Sequence, residues 1–177
     1  MTLPADLELR PAGPRDDAAL AALIAACDES YRAWAPPGWE PPPAGAELDR
    51  WRGRLTDGSG WTRIAVEPNG RVVGVVSFAQ ALTWVPERPE TGEPIPGRAH
   101  VRAVFTHPER WREGIGAALL ELAQGQMRAD GFRELQLWTP RDAPARHFYE
   151  ALGWRLDGRE QWSSELSLAL VGYLRQL

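Results

Sequence analysis

The sequence predicts an α+β fold, a single domain over residues 1–177 in which a sheet carries helices on both faces. Three observations predict it. Alternating or β-branched apolar segments recur between segments whose apolar residues stand three and four apart. An Asn-Gly pair marks a tight hairpin, and a glycine loop joins one strand directly to a helix. With 177 residues, 44% of them hydrophobic and 25% charged, the chain is long enough to bury a core without disulfide or metal staples.

Each element has its own signal. Leu7-Glu8-Leu9-Arg10 alternates as a short strand. Pro14-Arg15-Asp16-Asp17 then offers a proline and two carboxylates to a helix's first turn, and Leu20, Leu23, Ile24 and Cys27 follow at helical spacing. From Ala35 to Ala46 five prolines break any regular element, so this stretch reads as a loop before a short helix from Glu47 to Leu55. Trp61 to Val66 and Val72 to Ala79 flank Asn69-Gly70 as an antiparallel hairpin. Trp84 to Gly97, with four prolines and three glutamates, reads as a loop leading into a buried strand from His100 to Phe105. Ile115, Leu119, Leu122, Ala123 and Met127 share one helix face, which ends near Gly131, and Leu135 to Trp138 resumes a strand, giving a βαβ unit. Asp142 is placed to cap a further helix with Ala145, Phe148, Tyr149 and Leu152 on its apolar face, ending at Gly153. Strands from Trp154 to Gly158 and from Leu166 to Leu174 complete the order β-α-α-β-β-β-α-β-α-β-β.

Composition excludes several classes. A net charge of −4 argues against a nucleic-acid binder, which needs a basic patch for phosphates. No run of about 18 apolar residues could span a bilayer, and the first residues lack a basic start followed by an apolar core, so no membrane partner is expected. The lone Cys27 allows no internal disulfide and fits a reducing, cytoplasmic setting. Three scattered histidines offer no zinc spacing, and neither GxSxG nor a Cys-His pair suggests a covalent intermediate, so neither a metal nor a covalent enzyme intermediate is expected. All twenty basic residues are arginine, which is read as genomic base composition. Residues 1–60 carry ten acidic and six basic side chains against fourteen of each in the remainder, which favours a cationic acceptor near the first third.

The chemistry concentrates after the strand ending at Thr106, in His107-Pro108-Glu109-Arg110-Trp111-Arg112-Glu113-Gly114-Ile115-Gly116-Ala117. A strand, a glycine loop and a helix start form a phosphate-binding geometry: glycine admits close approach of an anion, and the unpaired N–H groups of the first helical turn point at it. The segment lacks the GxGxxG of dinucleotide folds and the GK[ST] of triphosphate loops, although a nucleotide bound at Gly114-Ile115-Gly116 is one alternative.

HPERWREGIGAALL resembles motif A of the GNAT family of N-acetyltransferases, [QR]-x-x-G-x-[GA] after a strand, and the downstream ARHFYEALGW resembles that family's motif B. The element order also resembles the family's from end to end. This resemblance implies a mixed, mostly antiparallel sheet and acetyl-CoA as cosubstrate. It implies that the backbone of Trp111, Arg112, Glu113, Gly114, Ile115, Gly116 and Ala117 binds the CoA pyrophosphate, and that the strand around Val104, Phe105 and Thr106 pairs with the pantetheine arm and supplies an oxyanion-holding N–H. Trp111 stands where the family has Gln or Arg, and Arg112 can supply charge to the phosphates. Asp142 stands where the family commonly has Asn, either beside the cofactor or as the cap. Tyr149 matches the family's tyrosine near the CoA sulfur, which implies a general acid; the other role for it is a packed aromatic. His100, on the strand flanking the thioester, is a candidate base because its pKa suits proton transfer near neutrality; Glu87, Glu90 and Glu93 could act through a water. Trp34, Trp39 and Trp84 fall in loops on the acceptor side. The implied activity is direct transfer of an acetyl group to a primary amine, on a small molecule or an exposed site, the alternative being a non-catalytic acyl-CoA-binding module. The sequence leaves a homodimer open.

Overall fold

The computed structural model describes residues 2–58, 60–83 and 92–177, and among them the elements follow the expected order. They are β1 (Glu8–Pro11), α1 (Asp17–Glu29), α2 (Ala44–Thr56), β2 (Trp61–Val66), β3 (Val72–Leu82), β4 (Pro94–Thr106), α3 (Ile115–Ala129), β5 (Glu134–Pro140), α4 (Ala145–Ala151), β6 (Arg155–Ser163) and β7 (Leu168–Gln176). The strands form a seven-stranded sheet in the order β1-β2-β3-β4-β5-β7-β6. Each neighbouring pair is antiparallel except β4 and β5, which run parallel because α3 carries the chain from the end of one to the start of the other. No helix among the described residues is long and apolar enough to cross a membrane.

Two strand ends depart from expectation for a physical reason. β4 begins at Pro94, inside the stretch expected as loop. Its prolines cannot complete a ladder, so the Gln80 side-chain amide donates to the carbonyls of Ile95 at 2.7 Å and Arg98 at 3.0 Å, across a register shift between Gln80 and Leu82. The expected loop residues Trp84, Glu87 and Glu90 lie outside the described residues. β6 was expected to stop at Gly158 but continues to Ser163: the pairing shifts register between Leu156 and Glu160, and Gly158, at φ 82°, takes the left-handed conformation the irregularity needs.

The sheet's two faces hold separate cores. On one, Ile115, Leu119, Leu120, Ala123 and Met127 of α3 pack with Val73, Val76, Phe78, Leu135 and Leu137. On the other, Leu20, Leu23, Ile24 and Cys27 of α1 and Trp51 of α2 pack with Ile64, Val66, Val75 and Ala103. The depth of α3 is set by a missing side chain. A Cβ at Gly74, near the start of β3, would stand 2.9 Å from both Ile115 Cγ2 and Leu119 Cδ1, two side chains that are 1% exposed. Gly74→Val therefore overpacks the seam between α3 and the sheet and should cost roughly 1–3 kcal/mol. Urea unfolding checks it, and an unchanged midpoint would mean that α3 can lift freely.

Candidate active site

The parallel pair stays together for three residues only: Arg98 opposite Glu134, Ala99 opposite Leu135 and His100 opposite Gln136. Beyond that point the strands part. Val101 to Thr106 on β4 and Leu137 to Pro140 on β5 then line a cavity of about 750 Å³, joined by residues of α1, α2, the start of α3, and α4. His107 donates its backbone N–H to Val73 O at 2.8 Å, and strand residues alternate, so the polar backbone groups of Val104 and Thr106 face away from β3 toward the parted side.

At one end of the cavity the chain turns from β4 into α3. His107 Nδ1 accepts the Glu109 N–H at 3.3 Å and caps a single 3₁₀ turn, while Arg110 is held by Glu67 at 2.7 Å, Glu113 at 2.8 Å and Asp6 at 3.0 Å. The backbone then takes two left-handed residues, Arg112 at φ 67° and Gly114 at φ 80°, and Gly114 becomes the residue that opens α3. This turn leaves the first N–H groups of α3 without intrahelical acceptors, beside the cavity. Gly116 keeps the approach clear, since a Cβ there would reach to 3.3 Å from Thr106 Oγ1 and 3.7 Å from Phe148 Cζ.

Of the residues expected to bind the cofactor, Val104, Phe105, Thr106, Trp111, Arg112, Gly114, Ile115 and Gly116 line this cavity. Glu113 is turned to Arg110, and Ala117 is buried in the helix flank. The Thr106 carbonyl is already taken, by the Trp111 indole N–H at 2.7 Å and the Cys27 thiol at 3.4 Å. Asp142 does not cap α4. The helix is opened by Pro144, whose backbone at φ −56° and ψ −23° is already helical, and the exposed Asp142 lies outside the cavity lining.

Tyr149 lines the cavity from α4, 8% exposed, with its ring against Phe148, Trp154 and Tyr173. Its hydroxyl has no hydrogen-bond partner among the described residues, whereas the Tyr173 hydroxyl donates to Glu150 at 2.6 Å. Burial pushes the Tyr149 phenol well above its ordinary pKa, so it stays protonated.

His100 is a different case from the one expected. It sits at the last paired position of β4, outside the cavity lining, with Nδ1 buried and unpartnered. Burial, with Arg102, Arg54 and Arg159 nearby, pulls its pKa down to about 4, so the imidazole is neutral and only weakly basic near pH 7. Glu93 is exposed on the sheet rim, its backbone N–H donating to Thr83 Oγ1 at 2.9 Å. Trp34 and Trp39 stand behind the cavity rather than in its lining: both rings pack on Tyr31, and the Trp39 indole donates to Leu166 O at 2.7 Å.

The residues that sequence reasoning missed form the other end of the cavity. Asp28 and Tyr31 follow the apolar stripe of α1, and Glu47, Arg50, Trp51 and Arg54 occupy successive inward positions on α2. Asp28 is 4% exposed and Glu47 7%. Arg50 pairs closely with both Glu47 and Glu165, while no group among the described residues donates a hydrogen bond to Asp28. Burial, and then the charge of Glu47, raise the Asp28 pKa to about 7 against the opposing pull of Arg50. Arg54 lies over the Trp51 ring, 5.2 Å from its centroid, and burial lowers its pKa to about 10. One sequence signal could have found Asp28: it stands four residues after Ile24 and next to Cys27, a carboxylate on a buried stripe.

A sheet opened between two parallel strands, with a glycine-turned helix start at the opening, presents unpaired backbone groups of the kind that suit an anionic ligand. Residues 24–154 match the Acetyltransferase (GNAT) family, and the chain belongs to that family. No curated protein matches the chain in sequence. The fold is shared with an acetyltransferase of the GNAT family from Desulfovibrio desulfuricans, at 18% identity and a TM-score of 0.70, over 96% of this chain and 98% of that one. It is shared also with an acetyltransferase of the GNAT family from Staphylococcus aureus Mu50, at 15% identity and a TM-score of 0.71 over 97% and 99%. A third structure, the PaiA N-acetyltransferase from Thermoplasma acidophilum in complex with coenzyme A, matches at 13% identity and a TM-score of 0.66 over 97% and 99%.

The raised Asp28 pKa has a sign that stability measurements can read. Folded protein holds the Asp28 proton up to about pH 7, while the unfolded chain releases it near 3.8, so this group's contribution to stability falls as pH rises between those values. Asp28→Asn removes that loss. Its melting temperature relative to the parent should climb from pH 4 to pH 7 and then level off in calorimetric scans; a constant difference would mean an ordinary carboxylate.

Proposed function

We infer that the protein is an acetyl-CoA-dependent N-acetyltransferase that passes the acetyl group directly to a primary amine. One observation carries this reading: α4 connects the two ends of the cavity. Phe148 stands over Gly116 at the start of α3, and the adjacent Tyr149 lines the same cavity as Tyr31, Asp28 and Glu47 at the other end. Anion-binding backbone, a proton donor and buried carboxylates are thus arranged along one opening.

Family membership supports acetyl-CoA as the cosubstrate, and the chain's own groups fit it. The N–H groups opening α3 can hold the pyrophosphate, with Arg112 adding charge, and the Gly116 surface lets it approach. Val104 offers backbone pairing to the pantetheine amides; since the Trp111 indole occupies the Thr106 carbonyl, Thr106 contributes its N–H. Cavity-facing N–H groups of β4 stabilise the oxyanion as the amine attacks, and Tyr149 protonates the departing sulfur. The carboxylates at the far end favour an acceptor that arrives as an ammonium.

Two variants test the two ends separately. The parent's melting temperature should rise in millimolar acetyl-CoA, because a ligand that binds only the folded state stabilises it; Gly116→Val should lose that rise while still folding. An equal rise in the variant would place the phosphates elsewhere. Tyr149→Phe keeps the ring packing but removes the acid, so turnover should fall by roughly 10²-fold with acetyl-CoA affinity unchanged. Parent-like turnover across the pH range would return Tyr149 to a packing role.

A further inference from the structure

Asp28 is a nearly inaccessible carboxylate in the cavity wall to which no described residue donates a hydrogen bond. Such a group is costly to bury unpaired, and native structures rarely leave one so without a ligand to complete it. Its surroundings sharpen the point. Across from α1, α2 presents Glu47, Arg50 and Arg54; Arg50 is engaged on both sides, by Glu47 and by Glu165, and Arg54 also feels the charge of Glu47, so three carboxylates face two guanidiniums. From its own side Asp28 faces the Cys27 thiol and the Tyr31 phenol, both pushed up by burial and by Asp28 itself and therefore neutral. The local sum is short of positive charge when Asp28 is ionised.

We propose that Asp28 is the group that receives the acceptor's ammonium and takes its proton, with the Glu47–Arg50–Glu165 ion cluster setting how firmly that proton is held. The proposal rests on the N-acetyltransferase reading and names the residue that makes the amine nucleophilic. The protons balance as follows. The ammonium gives one proton to the Asp28 carboxylate, and the freed nitrogen lone pair forms a bond to the thioester carbonyl carbon. As the carbonyl re-forms, the carbon–sulfur bond breaks and sulfur keeps its electron pair. Sulfur takes a proton from Tyr149, whose phenolate recovers the second proton that nitrogen sheds on becoming an amide, and Asp28 returns its own to solvent. A carboxylate that is ionised only near neutrality is a stronger base than an exposed one, which suits it to an amine.

The test is the pH dependence of kcat/KM, read as thiol release from acetyl-CoA with a pool of primary amines, for the parent, Asp28→Asn and Glu47→Gln. The parent should show an acid limb near pH 7. Asp28→Asn should lose about 10²-fold in kcat/KM and that limb with it, while acetyl-CoA still raises its melting temperature as in the parent. Glu47→Gln removes the charge that raises Asp28 and frees Arg50 to act on it, so its limb should move to lower pH; a merely structural role for Glu47 would lower the rate without moving the limb. Asp28→Asn with the parent's rate and the parent's limb would overturn the assignment while leaving the acetyltransferase reading intact. A parent that releases no thiol with any amine would overturn both.

Discussion

Everything at the candidate site depends on one event in the sheet: two parallel strands that pair for three residues and then separate. Backbone polar groups in a sheet interior demand partners, so an opened pair is sustained only where other groups or a ligand satisfy the exposed edges. The protein does part of this itself, turning the Trp111 indole and the Cys27 thiol onto the Thr106 carbonyl. What remains open runs along the middle of β4. The crossover that makes the pair parallel also fixes where α3 must start, and so places its unpaired N–H groups at the mouth of the same opening.

The cavity joins two styles of recognition. At the α3 end the lining is of backbone direction, unpaired N–H groups secured by two left-handed residues and an arginine locked among three carboxylates. At the α1 and α2 end the lining is of side chains held at an electrostatic disadvantage: Asp28, to which no described residue donates a hydrogen bond, and Arg54, buried over the Trp51 ring. Burying the Asp28 carboxylate costs the fold stability near neutral pH, as expected of a group retained for function rather than for folding.

How much could be read in advance follows from how local each cause is. The hairpin at Asn69-Gly70 is a two-residue instruction, and β2 has the bounds the pattern implies. The glycines of the α3 turn are equally local. The start of β4 was not legible, because Pro94 and Pro96 read as breakers and the compensating bonds come from the Gln80 side chain, on another strand. Asp142 looked like a cap because the residue type suits one, yet the helix opens two residues later on the geometry of Pro144. His100 looked poised because alternation along a strand says nothing of arginines arriving from α2 and β6, and their combined charge with burial keeps it neutral. Asp28 was overlooked for the opposite reason: aspartate is usually an exposed residue, and the stripe it belongs to was read for its apolar members alone.

The inner face of α2 carries a further consequence. Glu47, Arg50, Trp51 and Arg54 lie within two turns of one helix, an acid followed by two bases that flank an aromatic ring along the cavity. On the proposed function, four side chains on a single surface element would write the chemical address of the acceptor, while the opposite end is written in main-chain geometry that substitution barely edits. A lineage built this way can exchange one acceptor for another by rewriting one helix face and keep its donor unchanged.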